Sequence, residues 1–139
     1  MLTRSVFNED GFCRLPDFPV PHFFTTKHVG NSSTFRGNNT VLIIPEHSDA
    51  ITLLPDDWRV KSEVGCDVIL TASPHLDLFL NVADCLPILM TTIDKRFVGL
   101  LHAGWRGTDL EIARKTVELA VKVYLIEPED IFVGIGPGI

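Results

Sequence analysis

The stretch Leu86-Pro87-Ile88-Leu89-Met90-Thr91-Thr92-Ile93-Asp94-Lys95-Arg96-Phe97-Val98-Gly99-Leu100-Leu101-His102 decides the fold. Two apolar runs, residues 86–93 and 97–102, flank a short charged turn, which is the pattern of an antiparallel hairpin. With the turn centred between Asp94 and Lys95, His102 faces Pro87 and Cys85 faces Gly104. Cys85 and His102 then lie diagonally at the open end of the hairpin, about 7 to 8 Å apart at the backbone and within reach of one shared ion.

Downstream of this hairpin, Thr108-Asp109-Leu110-Glu111 has the form of a capping box. Leu110, Ala113, Val117, Ala120 and Tyr124 follow at helical spacing and predict a helix over 108–124. Pro128 separates it from a short strand, 131–135, that runs into Gly136-Pro137-Gly138-Ile139. Upstream, short apolar runs punctuated by Pro, Gly, Asn and Asp predict strands at 20–26, 40–44, 50–54, 67–71 and 76–82. Residues 30–39 are rich enough in turn formers to read as a mobile loop. The sequence stops on an apolar residue without a polar tail, so the expectation is one domain, 1–139, incomplete at its C-terminus.

Composition narrows the function classes. A chain of 139 residues with 45% hydrophobic residues can build one globular core. Its 12 Lys+Arg against 18 Asp+Glu, a net charge of −6 without any Lys/Arg cluster, work against reading a nucleic-acid backbone and leave small polar or anionic ligands open. No apolar run approaches the roughly 20 residues that span a bilayer, and Met1-Leu2-Thr3-Arg4-Ser5 lacks the apolar stretch of a secretion signal, so none is expected. Cys13, Cys66 and Cys85 are an odd number for a disulfide framework, so free thiols and a cytoplasmic location are expected.

Residues that carry chemistry cluster in Ala83-Asp84-Cys85-Leu86-Pro87 and His102-Ala103-Gly104-Trp105-Arg106-Gly107. A thiolate converging with an imidazole suits zinc with an open coordination position. The same pair reads equally well as a nucleophile and its base. Cys66, which precedes a strand, and Cys13, near the terminus, read as structural. Gly104-Trp105-Arg106-Gly107 stands just before a helix, where backbone N–H groups, close approach at glycine and the Arg106 guanidinium could hold an anion. Gly134-Ile135-Gly136-Pro137-Gly138 is a weaker phosphate loop, because no Lys-Ser/Thr follows it.

Gly65-Cys66-Asp67-Val68-Ile69-Leu70-Thr71, Ala83-Asp84-Cys85-Leu86-Pro87, His102-Ala103-Gly104-Trp105-Arg106-Gly107-Thr108 and Gly134-Ile135-Gly136-Pro137-Gly138-Ile139, in that order, resemble the successive blocks of the laccase-domain family. That family is also called multicopper polyphenol oxidase, purine nucleoside phosphorylase or peptidoglycan editing factor. Phe23-Phe24-Thr25-Thr26-Lys27-His28 is similar to its opening segment. The resemblance implies an α+β fold, a layered sandwich of mixed β sheets flanked by helices. It also implies a zinc site whose ligands are Cys85, His102 and a third histidine. His47 stands in the right order for that ligand and is preferred to His75, which follows Pro74 in an apparent turn.

The implied function is phosphorolysis of adenosine, inosine or methylthioadenosine, and deamination of adenosine. Zinc held by His47, Cys85 and His102 would lower the pKa of a water for attack on the purine ring. Arg106, Gly104 and Gly107 would bind phosphate or a sugar oxygen, and Asp84 would orient a ligand or accept a proton. The rival expectations are copper-dependent polyphenol oxidation at the same site, a Cys85–His102 cysteine hydrolase, and an inactive remnant that binds a partner. Compared with the family, the span from Lys27 to His47 is shortened, and the chain ends before a Cys-Cys-Tyr segment. Part of the substrate pocket is therefore expected to be absent, or to be completed by self-association or by another chain.

Overall fold

The computed structural model describes residues 6–7, 11–26, 29, 32–59 and 61–138. Lys27 and His28 of the Phe-Phe-Thr-Thr block, Gly30 and Asn31 of the loop, and Ile139 fall outside them. The strands, in chain order, are β1 (Val6–Phe7), β2 (Phe12–Arg14), β3 (Phe24–Thr25), β4 (Thr40–Ile44), β5 (Ile51–Leu54), β6 (Ser62–Gly65), β7 (Val68–Thr71), β8 (Asp77–Leu80), β9 (Leu86–Thr92), β10 (Val98–Ala103) and β11 (Ile131–Ile135). Two helices, α1 (Trp105–Asp109) and α2 (Ile112–Tyr124), lie between β10 and β11.

The β9–β10 hairpin has the anticipated register, with His102 opposite Pro87 and Ala103 opposite Leu86. It forms the centre of a five-stranded sheet ordered β11-β9-β10-β7-β5, antiparallel except for the β5–β7 pair. A second sheet, β6-β4-β8, is wholly parallel, and a third, β1-β2-β3, is antiparallel. The fold is therefore an α+β layered sandwich of mixed sheets.

Side-chain alternation along the central sheet divides its two faces between two cores. Val68, Leu70, Ile88, Met90 and Leu101 pack with Ile112 and Ala120 of α2. Ile69 and Leu100, on the opposite face, pack with Val41 and Ile43 of β4. Burial on both faces explains why β7 reads as an unbroken apolar run, since all four of its residues are buried. By the same alternation His102 shares the face of Leu100, towards the parallel sheet.

The expected single helix over 108–124 is corrected in the structure. Helical winding begins earlier, at Trp105, and breaks at Leu110 and Glu111, where Glu111 takes a left-handed backbone with φ 59°. The capping box does not form. Thr108 Oγ1 donates to the Gly104 carbonyl at 2.9 Å, while the Glu111 carboxylate receives Arg114 at 2.6 Å. Periodicity could not register the break, because Leu110 continues the apolar spacing yet is itself exposed.

The strand expected over 20–26 shrinks to β3, since Pro19 and Pro21 offer no N–H to a ladder. Strands β1, β2 and β6 were not expected from the sequence, because two to four residues are too few to show a periodic apolar pattern. Within the span read as a mobile loop, Ser32–Phe35 forms one 3-10 turn. Among the described residues no helix is long and apolar enough to cross a membrane.

Tyr124 closes the helix-side core by stacking on Phe97, with centroids 4.9 Å apart and planes at 10°. Burial, with a smaller contribution from the Asp56 carboxylate, pushes its phenol up from 10 to about 12. The raised value favours the neutral phenol in the folded state. Its contribution to stability is therefore complete below pH 10 and is lost as the pH climbs towards 12. Urea unfolding of Tyr124→Phe is expected to show a shallower loss of stability across that window than the wild type, and equal slopes would refute the assignment.

Candidate metal centre

The open end of the β9–β10 hairpin brings three potential ligands together. His102, the penultimate residue of β10, is 3% exposed. Cys85 sits in the bend immediately before β9 and is partly exposed. His47 arrives from the other sheet, three residues beyond the end of β4. One ligand atom from each of His47, Cys85 and His102 lies within 4.8 Å of the others. The two imidazoles meet edge to face with centroids 4.8 Å apart.

Asp67 organises this convergence from below, in the turn leading into β7. Its carboxylate is fully buried. Oδ1 accepts His102 Nδ1 at 2.8 Å and the His47 backbone N–H at 3.0 Å. Oδ2 accepts the Ser48 N–H at 2.9 Å and its hydroxyl at 2.8 Å. Burial by itself pushes the carboxyl up; the N–H of Ser48, the His102 imidazole, the Ser48 hydroxyl and the His47 N–H outweigh it and hold Asp67 below the usual carboxylate range. Because an ionised carboxylate only accepts, Nδ1 of His102 carries the proton and Nε2 is left free for an ion.

The turn at His47 is strained, with φ 56° at a residue that has a Cβ. Two backbone N–H groups donated to Asp67 hold it there, and Lys115 of α2 pairs with Asp49 on the far side of the same turn. Glycines make room for this packing. A Cβ on Gly104 would stand 3.2 Å from Cys85 Sγ, 3.6 Å from His102 Cε1 and 3.8 Å from His47 Cδ2. A Cβ on Gly107 would meet the Ser48 carbonyl oxygen at 2.9 Å, so this buried glycine lets α1 lie against the strained turn.

The other residues singled out in the sequence are placed as follows. Asp84 is exposed, and its Oδ1 is 3.7 Å from Cys85 Sγ. An open cleft of about 470 Å³ is lined by His47, Asp84, Cys85, Leu86, Ala103, Gly104 and Trp105. Gly107 and Arg106 are not among its lining residues; Arg106 is exposed, with its guanidinium 5.1 Å from the centroid of the Trp105 ring. His75 lies in an exposed turn apart from the cluster. Cys13 and Cys66 are buried free thiols. Gly134 belongs to β11, and the Gly136 N–H donates to the Pro87 carbonyl at 2.8 Å, so this stretch extends the sheet rather than forming a phosphate loop.

Asp67 was not recognised as a functional residue in the sequence. Its signal was present nonetheless: a carboxylate heading a strand of apolar residues is buried with it and must find donors.

Two imidazoles, one thiol and a face open to the cleft match the donor set of catalytic zinc sites, and soft sulfur with imidazole also suits copper. The space kept clear at Gly104 fits a common ligand point for the three side chains.

Comparison with known proteins identifies the class. The chain belongs to the multi-copper polyphenol oxidoreductase laccase family, whose model matches residues 25–139. A protein of Deinococcus radiodurans named purine nucleoside phosphorylase is 30% identical over 91% of this chain and 59% of its own length. One of the same name from Haemophilus influenzae is 32% identical over 87% of this chain and 52% of its own length. The chain thus spans about half the length of these curated relatives. The crystal structure of YlmD from Geobacillus stearothermophilus superposes with a TM-score of 0.66 and 34% identity, over 73% of this chain and 40% of that one.

Gly104→Ala is expected to weaken the affinity for added Zn²⁺ by about tenfold, because the new methyl crowds Cys85 and both imidazoles. Competition with a chromophoric chelator measures this, and an unchanged affinity would show that the space at Gly104 does not serve a bound ion.

Proposed function

We propose that this chain is the metal-binding part of a purine nucleoside phosphorylase, with zinc held by His47, Cys85 and His102. The observation that carries the reading is the convergence of those three side chains at the edge of a cleft of nucleoside size. The names of the Deinococcus and Haemophilus relatives support the reaction class. A zinc ion bound there supplies Lewis-acid chemistry to the reacting centre.

The remaining roles belong to the chain's own groups. Trp105, three-quarters exposed at the rim, offers an aromatic face on which a purine can stack. Arg106, braced on that indole, supplies the cation for phosphate, and the backbone at Gly104 allows close approach. In this reading Asp84, beside Cys85 on the cleft wall, takes or returns a proton. Adenosine deamination would use the same cleft, and a cytoplasmic location belongs to the same reading.

The cysteine-hydrolase alternative is disfavoured by charge. Partial burial, and then the neighbouring Asp84 carboxylate, push the Cys85 thiol up, the opposite direction to that of an activated nucleophilic cysteine.

Elemental analysis of protein purified without added metal is expected to find about one zinc per chain, lost on His47→Ala, Cys85→Ala or His102→Ala and retained on His75→Ala. Base release from inosine should require phosphate and fall about 100-fold or more in the three ligand variants. Zinc-free protein, or phenol oxidation appearing only after copper loading, would overturn this assignment.

A further inference from the structure

We propose that Asp67 is the positioning residue of the site: one buried carboxylate selects the ligating nitrogen of His102 and also holds the strained turn that presents His47. The inference rests on the metal reading above for its consequence and on hydrogen-bond geometry for its substance.

Two features distinguish Asp67 from an ordinary buried acid. First, its four bonds divide between the two histidines and their turn, and none goes to a neighbouring cation. Oδ1 receives both His102 Nδ1 and the His47 N–H, while Oδ2 receives the Ser48 N–H and hydroxyl. Second, each side depends on the carboxylate for something that it cannot hold alone. A neutral imidazole exchanges readily between tautomers, and the acceptor at Nδ1 decides which nitrogen is left bare. A histidine at φ 56° relaxes unless its surroundings impose that backbone, and two successive N–H groups aimed at one carboxylate impose it here.

The Asp67 backbone joins the same framework. Its carbonyl accepts the His102 N–H at 2.8 Å, and its N–H donates to the Ala50 carbonyl at 2.9 Å. Side chain and main chain of one residue thus tie β10 to the turn after β4. Asp84, the acid expected from the sequence to orient a ligand, is exposed, with its Oδ1 3.7 Å from Cys85 Sγ.

Two measurements test this. Zinc affinity by chelator competition is compared between the wild type and Asp67→Asn, which keeps the shape but cannot accept all four donors. Affinity is expected to fall by about 10- to 100-fold, with the far-UV spectrum of the metal-free form unchanged. Independently, ¹⁵N NMR of the metal-free wild type, taken at a pH where the spectrum itself shows a neutral His102 ring, should find it as the Nδ1–H tautomer. Asp67→Asn should show a mixture of the two forms.

An Nε2–H form of His102 in the wild type overturns the proposal, and this holds even if Asp67→Asn fails to fold. Equal zinc affinities in two folded proteins overturn it as well. A wild type that binds no zinc yet shows the Nδ1–H tautomer refutes the metal reading and leaves the positioning by Asp67 supported.

Discussion

The Asp67 carboxylate is the constraint around which the site is built. Taking an ionised carboxylate entirely out of water costs several kcal/mol unless donors replace the lost hydration. Here the donors are a backbone N–H from His47, an N–H and a hydroxyl from Ser48, and the ring of His102. The arrangement is all-or-none in character: withdrawing one donor leaves a buried charge less well solvated and loosens the partners that remain. Electrostatics therefore couple two histidines that lie 55 positions apart in the chain.

Layering explains why the coupling occurs where it does. The central sheet is apolar on both faces, one against α2 and the other against the parallel sheet. Polar chemistry must gather where strands end, and the alternation that buries Leu100 beneath β4 carries His102 to that end of the same face. There β4 has given way to the turn at His47, and β9 has not yet begun at Cys85. Gly107 draws α1 over the turn and Lys115 fastens it to α2 through Asp49, so the helix layer also braces the seam between sheets.

The hairpin and its diagonal Cys85–His102 pair were legible because an antiparallel register follows from local sequence once the turn is located. The family blocks were legible because their order and spacing survive without a structure. What stayed hidden is non-local or conformational. The parallel pairing of β4 with β6 and β8 leaves no turn signature between partners. The break at Glu111 depends on a left-handed residue with no glycine to announce it. Asp67 was visible as a residue but not as a hub, since its donors come from 19, 20 and 35 positions away.

The groups that hydrogen-bond the proposed ligands lie within residues 47–102, and Gly107 and Lys115 brace the turn at His47 from the helix layer. Gripping a substrate is a different physical problem. The cleft is open, its rim is formed by a largely exposed indole, and the Arg106 guanidinium lies over that indole outside the lining. Such a surface can stack a flat ring and attract an anion, but it encloses neither, and enclosure is what removes water from charged groups and strengthens their interactions. Ligand assembly is therefore separable from substrate enclosure in this chain. Asp67 and His102 act in the buried layer between the sheets, whereas a flat ring stacked on Trp105 would stay open to water.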